Sequence, residues 1–155
     1  MSQLSLLWTL LRNLGAGPLN HSLVGWRTEV DIEPVSPAEA AAFAAVTGDP
    51  DSAYGMPGGP LPPLYIAKLI IPCLKQVWQM PDLNLNLLRM VHAGQSVNWR
   101  RMIKSGEPFC LETTISDIRD TVAGELLQIT GRCRIDGETA VKGVTGLIVR
   151  RKKGR

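Results

Sequence analysis

Hydrophobic positions along the chain change their spacing from helical to alternating and back, and the changes mark the elements. Leu4, Leu7, Leu11 and Leu14, with Trp8 beside them, recur at helical intervals until Gly15-Ala16-Gly17-Pro18 breaks the run. The spacing predicts a short amphipathic helix that docks on the domain or on a partner. Residues 23–33 (LVGWRTEVDIE) alternate in part and predict a first strand, ended by Pro34. Ser36-Pro37-Ala38-Glu39 then carries an N-cap serine, a proline at the first helical position and a glutamate three residues after the cap. That box predicts two orphan amides satisfied reciprocally and a helix from about Pro37 to Val46, ending near Gly48.

Residues 48–63 (GDPDSAYGMPGGPLPP) are too rich in Gly, Pro and Asp for a regular element. Tyr54, Met56 and Leu61 within them predict an ordered loop. From Leu64 to Met80 the chain is apolar almost all round, through Ile66, Ala67, Leu69, Ile70, Ile71, Leu74, Val77 and Trp78. A helix buried on most sides follows, kinked at Pro72, where one internal hydrogen bond is lost. Beyond the turn at Pro81-Asp82 the reading is strands only: Leu87–Trp99, Phe109–Ile118, Glu125–Ile135 and Thr139–Arg150. Asp136-Gly137 between the last two is a strong hairpin signal, because a type I′ turn needs positive φ at both central residues. One early strand, a capped helix, a long central helix and four late strands predict an α+β fold, an antiparallel sheet wrapped around the central helix, and exclude a parallel βαβ repeat.

Composition bounds this picture without redirecting it. A chain of 155 residues, 45% hydrophobic and 20% charged, supports one domain with a sizeable core. We divide it into an N-terminal helix and linker (1–20), a single domain (21–150) and a basic tail (151–155). The formal net charge is +3, but Arg150, Arg151, Lys152, Lys153 and Arg155 crowd the C-terminus, so the body is slightly acidic. No aromatic residues are interleaved with that cluster, so it reads as a solvated terminus and nucleic acid is not an expected partner. Cys73, Cys110 and Cys133 are odd in number and form no CxxC pair, which indicates neither a disulfide framework nor a zinc site and fits a reducing, cytoplasmic setting. The apolar N-terminal run lacks a preceding basic region, is interrupted by Arg12 and is far short of the ~20 residues of a membrane span, so neither a signal peptide nor a span is expected.

Three stretches carry a family resemblance. They are Phe43 to Tyr54 (FAAVTGDPDSAY), Gly58 to Tyr65 (GGPLPPLY), and the succession of Val91 to Val97 (VHAGQSV), Ser105-Gly106-Glu107-Pro108 and Asp136-Gly137. In their order the chain resembles the MaoC-like hot-dog family of (R)-specific enoyl thioester hydratases and 3-hydroxyacyl thioester dehydratases over about residues 25–150. The likeness is nearest to the family's N-terminal-type, non-catalytic half or subunit. It implies a ligand that is an acyl-CoA or acyl carrier protein thioester, no cofactor, and a homodimer or a heterodimer with a catalytic hot-dog subunit.

Hydration of an enoyl thioester needs a base for water, an acid for the α-carbon and donors for charge on the thioester oxygen. By resemblance Asp49 falls on the family's aspartate position, but Tyr54 stands where the histidine belongs, and its ordinary pKa near 10 makes a poor partner at neutral pH. Pro60, Pro62 and Pro63 crowd the entry to the central helix, where backbone amides would serve as oxyanion donors, and proline has none. The resemblance also places Met56, Gly58, Gly59, Leu61, Tyr65 and His92 along the thioester path. Arg100, in Trp99-Arg100-Arg101, adds a guanidinium fork suited to phosphate, or an exposed strand end. Two histidines and no carboxylate cluster at ligand spacing leave no metal site expected. Three functional readings follow. The first is an acyl-thioester-binding subunit without the catalytic histidine. The second is an active hydratase using Asp49 with Tyr54 or His92. The third is an interaction module built on the N-terminal helix and basic tail.

Overall fold

The structure, a computed structural model, describes residues 17–49 and 51–151. The predicted N-terminal helix and the last residues of the basic tail lie outside the described residues. Strand β1 (Arg27–Ile32) leads into helix α1 (Pro37–Thr47), a 3-10 turn (Ser52–Gly55) and helix α2 (Tyr65–Trp78). Strands β2 (Met90–Trp99), β3 (Phe109–Thr121), β4 (Gly124–Ile135) and β5 (Glu138–Val149) follow. They form a five-stranded antiparallel sheet of order β1-β3-β4-β5-β2. Consecutive hairpins make β3, β4 and β5 its centre, and the turn at Asp136 (φ 50°) and Gly137 (φ 81°) has the positive φ at both positions that the sequence predicts.

Alternation sorts the side chains of the central strands. Leu111, Cys133 and Val141 align across the sheet, and below them come Ile115, Ile129, Leu127 and Leu147, all facing α2. Leu69, Ile70, Cys73, Leu74 and Val77 of α2 meet them, so two apolar clusters run the length of the helix. Each such side chain contributes about 1.5–3 kcal/mol on full burial. The opposite face is polar. There Glu112 is buried beneath Arg132, whose Nη1 lies 2.6 Å from its Oε1.

Ser36 accepts the Glu39 N–H and Gly48 closes α1 in the left-handed region at φ 73°, as the sequence predicts. Three expectations are revised. Glu39 does not return to the Ser36 amide; its carboxylate is held by Tyr65 and Lys68 of α2 instead. Helix α2, which runs through Pro72 without a break, is buried on one side only and not on most sides, with Leu64 just before it, Ala67, Lys68, Ile71 and Pro72 exposed. Strand β1 starts at Arg27, later than predicted, because residues 21–23 form a 3-10 turn and Gly25, at φ 93°, donates to the Ile115 carbonyl. Among the described residues no helix is long and apolar enough to cross a membrane.

The segment before β1 is pinned by a buried carboxylate. The amide of Leu19, a side chain only 3% exposed, donates to both oxygens of Glu125 at 3.1 Å, and His21 Nε2 lies 3.4 Å from Glu125 Oε1. The neighbouring Asn20 amide donates to the Leu83 carbonyl. Removing the carboxylate strands a buried N–H, which costs about 1–3 kcal/mol. Glu125→Ala is therefore expected to lower the free energy of unfolding, obtained from urea titration, by an amount in that range and to expose the chain near Leu19 to proteolysis.

Candidate functional site

The site is built where α1 ends. Gly48 turns the chain and Asp49 donates its amide to the Ala44 carbonyl, which leaves the Asp49 side chain at the mouth of the following loop. Asp51 caps the 3-10 turn by accepting the Ala53 N–H at 2.9 Å, and the turn buries Tyr54. As a result the Tyr54 hydroxyl donates to Asp49 Oδ2 at 3.0 Å. The bond to Asp49, then burial, raise the Tyr54 phenol above its ordinary pKa. A phenol held protonated against a carboxylate is a fixed donor, and it leaves that carboxylate oxygen partnered.

The rest of the loop is locked onto residues 103–105. Gly59 donates to Met56 O, Ser105 Oγ donates to the same carbonyl at 3.0 Å, the Ser105 amide donates to Gly59 O, and Leu61 donates to Ile103 O. Gly59 has to be glycine, because a Cβ there would stand 2.1 Å from the Ala53 carbonyl oxygen. Gly58 uses positive φ (69°), and Met56 is exposed. Leu61 is a core residue, packed with Tyr65 in the upper apolar cluster. Ser105 entered the sequence reading only as part of the Ser105-Gly106-Glu107-Pro108 turn; its bond to Met56 had no signal there, because it joins segments far apart in the chain.

Tyr65, the first residue of α2, is buried edge-on against Phe43 with ring centroids 5.0 Å apart, and its hydroxyl donates to Glu39 Oε1 at 2.6 Å. Lys68 Nζ reaches the same carboxylate. Burial, then Glu39, raise the Tyr65 phenol; the bond from Lys68, then that from Tyr65, hold Glu39 below the usual carboxylate range. This clasp fixes α1 on α2 and commits the Tyr65 hydroxyl to Glu39. At the entry of α2 the Tyr65 amide donates to Pro62 O and the Ala67 amide to Leu64 O, so those donors are occupied as well.

No hydrogen bond joins His92 to Asp49 among the described residues, where Asp49 is bonded to Tyr54. His92 lies on β2 opposite Leu147 of β5, seven residues and about 20 Å along the strand from Trp99, whose end of β2 adjoins Leu61 and Pro62 of the loop. Arg101 grips Glu107 with both terminal nitrogens, at 2.9 and 2.7 Å, while Arg100 is exposed. Among the described residues no group of His, Cys, Asp and Glu is placed to hold a metal ion.

A second feature is a narrow slot between α2 and the sheet. Gly131 and Gly143 face each other on β4 and β5, and the missing side chains leave space beneath Ile66 and Ile70, closed at one end by Gln95 and Val97 of β2. A Cβ at Gly131 would lie 3.6 Å from Ile70 Cδ1, so the glycine floor defines the depth of the slot.

The two tyrosines of the chain thus both ionise above their ordinary value. A raised phenol pKa means that the folded state holds its proton more tightly, so the stabilisation is full below about pH 10 and is lost as pH rises through the folded values. We expect tyrosinate absorbance of the native protein to appear at higher pH than in the urea-unfolded chain. Tyr54→Phe should remove about half of that signal, since one of the two phenols is gone.

Comparison with known proteins agrees with this geometry. A family profile described as FAS1-like, dehydratase domain region, matches residues 22–142. A UPF0336 protein of Streptomyces coelicolor is 28% identical over 147 residues, covering 85% of this chain and 95% of the relative. Among solved structures, the MaoC-like dehydratase from Rhodospirillum rubrum superimposes with a TM-score of 0.63 at 19% identity, over 88% of this chain and 99% of that one. The truncated HadBC complex of Mycobacterium tuberculosis, a 3R-hydroxyacyl-ACP dehydratase, gives 0.68 at 13% identity, over 81% and 96%. The sheet wrapped on α2 is the hot-dog fold of these structures, and the chain belongs to the family described as FAS1-like, dehydratase domain region.

Proposed function

We propose that this chain binds acyl thioesters within a hot-dog dehydratase framework and does not itself carry out hydration or dehydration. The observation that carries this reading is the Tyr54 hydroxyl donating to Asp49 at 3.0 Å. Acid-base catalysis at neutral pH needs a group that gives and takes a proton near that pH, and a phenol raised above its ordinary pKa does neither. The occupied amides and prolines at the start of α2 weaken the oxyanion donors independently. The glycine-floored slot supports the binding half of the reading: its lining is apolar, and with about 10 Å³ of free space it admits an unbranched chain once Ile66 and Ile70 move aside.

A partner chain would complete the chemistry. Among the described residues strand β2 is paired with β5 on one side only, and most of its residues are exposed, so a backbone edge of ten residues is left open there. Such an edge is a template for another strand. Its partner is a second copy or a hot-dog chain that carries the aspartate and histidine, and the HadBC neighbour, printed as a complex, supports an assembly of this kind.

The purified chain is expected to bind crotonyl-CoA by calorimetry while the enoyl-thioester absorbance decays at the uncatalysed rate. Turnover typical of enzymes that vanishes in Asp49→Asn would overturn the reading. Filling the slot provides a separate check. Gly143→Val should weaken binding of longer acyl-CoAs far more than of acetyl-CoA, by about tenfold or more, the loss expected when one or two methylenes are refused. Equal losses for all chain lengths would place the acyl group elsewhere.

A further inference from the structure

We propose that Trp99 and Arg100, at the end of β2, form a docking point for the adenosine phosphate end of coenzyme A, so that the chain takes CoA thioesters in preference to carrier-protein thioesters. The inference rests on the thioester reading above and names which thioester.

Trp99 pairs with Val141 and faces the α2 side of the sheet, yet it remains 38% exposed. Its indole borders a shallow apolar depression with Leu61, Pro62 and Met102. An exposed indole beside apolar walls is a stacking platform for a purine, and base-aromatic stacking is tolerant of sequence and needs no hydrogen-bond code.

Arg100 supplies the charge. Its amide is fixed to the Ala140 carbonyl at 2.8 Å, which sets the direction of the chain, while its guanidinium is exposed and bonds to no other described residue. Arg101 differs. It is consumed by Glu107, with Asp136 and Glu138 adding negative surroundings, so it is not available to a phosphate. Of the two arginines in the motif only Arg100 is free to make the bidentate contact that guanidinium and phosphate favour.

The location joins this platform to the candidate site. The Leu61 amide donates to Ile103 O, and the Ser105 hydroxyl donates to Met56 O, so the segment after Trp99 is tied to the loop that carries Tyr54. Pairing through the β2 edge would use backbone groups and leave this face open. A carrier protein presents a phosphopantetheine on a serine and no purine, so the Trp99 stack is what separates the two sources of thioester.

The test titrates the full chain with adenosine 3′,5′-bisphosphate, crotonyl-CoA and crotonyl-pantetheine. We expect the bisphosphate to bind and to compete with crotonyl-CoA. Trp99→Leu and Arg100→Gln should each weaken the bisphosphate and crotonyl-CoA by about tenfold and leave crotonyl-pantetheine unchanged, with Trp99→Phe retaining most of the affinity. Arg100→Gln changes only an exposed side chain, so it reports even if Trp99→Leu does not fold. Crotonyl-pantetheine binding as tightly as crotonyl-CoA, or unchanged bisphosphate affinity in the Arg100→Gln protein, would overturn this inference and leave the thioester reading standing. Binding of neither thioester would overturn both.

Discussion

The burial of one side of α2 against a face of the antiparallel sheet is the constraint from which the remaining features follow. Leu69, Ile70, Cys73, Leu74 and Val77 have to meet the inward row of β3, β4 and β5, and a slip of one residue in any strand would turn that row outward. With the register fixed, Gly131 and Gly143 fall opposite each other under the helix, and a slot results from the absence of two side chains. The entry to α2 is fixed by the same packing. Tyr65 must be buried there, and its hydroxyl then requires a polar partner, which Glu39 of α1 provides. Helix α1 is held by that bond, and the loop after α1 by the pairing of residues 59–61 with residues 103–105.

The chemical character of the site follows from one hydrogen bond set within that frame. Asp49 and Tyr54 are five residues apart and meet because Gly48 reverses the chain and Asp51 closes the 3-10 turn. A histidine on that turn would exchange protons with a carboxylate at neutral pH, whereas a phenol only donates. On the proposed reading, the framework therefore surrounds a pair that holds a proton still. Binding and chemistry are separable in such a fold, because the slot is made by α2 and the sheet while the pair is carried by a loop outside them.

The sheet's two edges differ in the same structural sense. Strand β1 is short and follows a segment anchored by Glu125, while β2 is longer and exposed on both faces. A long open edge beside an apolar helix face with Leu64 and Ile71 exposed is the region where an added chain would hide the most unsatisfied backbone and apolar area together.

The amino-acid sequence by itself determined the element order, the capped start of α1, the Asp136-Gly137 hairpin and the alternation of the central strands, because each depends on residues close in the chain. It also carried the family likeness, by which Tyr54 falls where the resemblance places a histidine. Tertiary structure decided matters that depend on neighbours distant in sequence. Glu39 looked like a capping-box residue, but burial of the Tyr65 hydroxyl 26 residues away claimed it. Arg100 and Arg101 read alike in sequence, and only the position of Glu107 commits one and frees the other. His21 meets Glu125 only because the fold brings together residues 104 apart in the chain. Tyr54 and His92 were both offered as partners of Asp49, and the 3-10 turn after α1 is what brings the Tyr54 hydroxyl to it. Local propensity acts over a few residues and is legible in a string of letters, whereas a buried polar group takes whichever partner the packed core delivers.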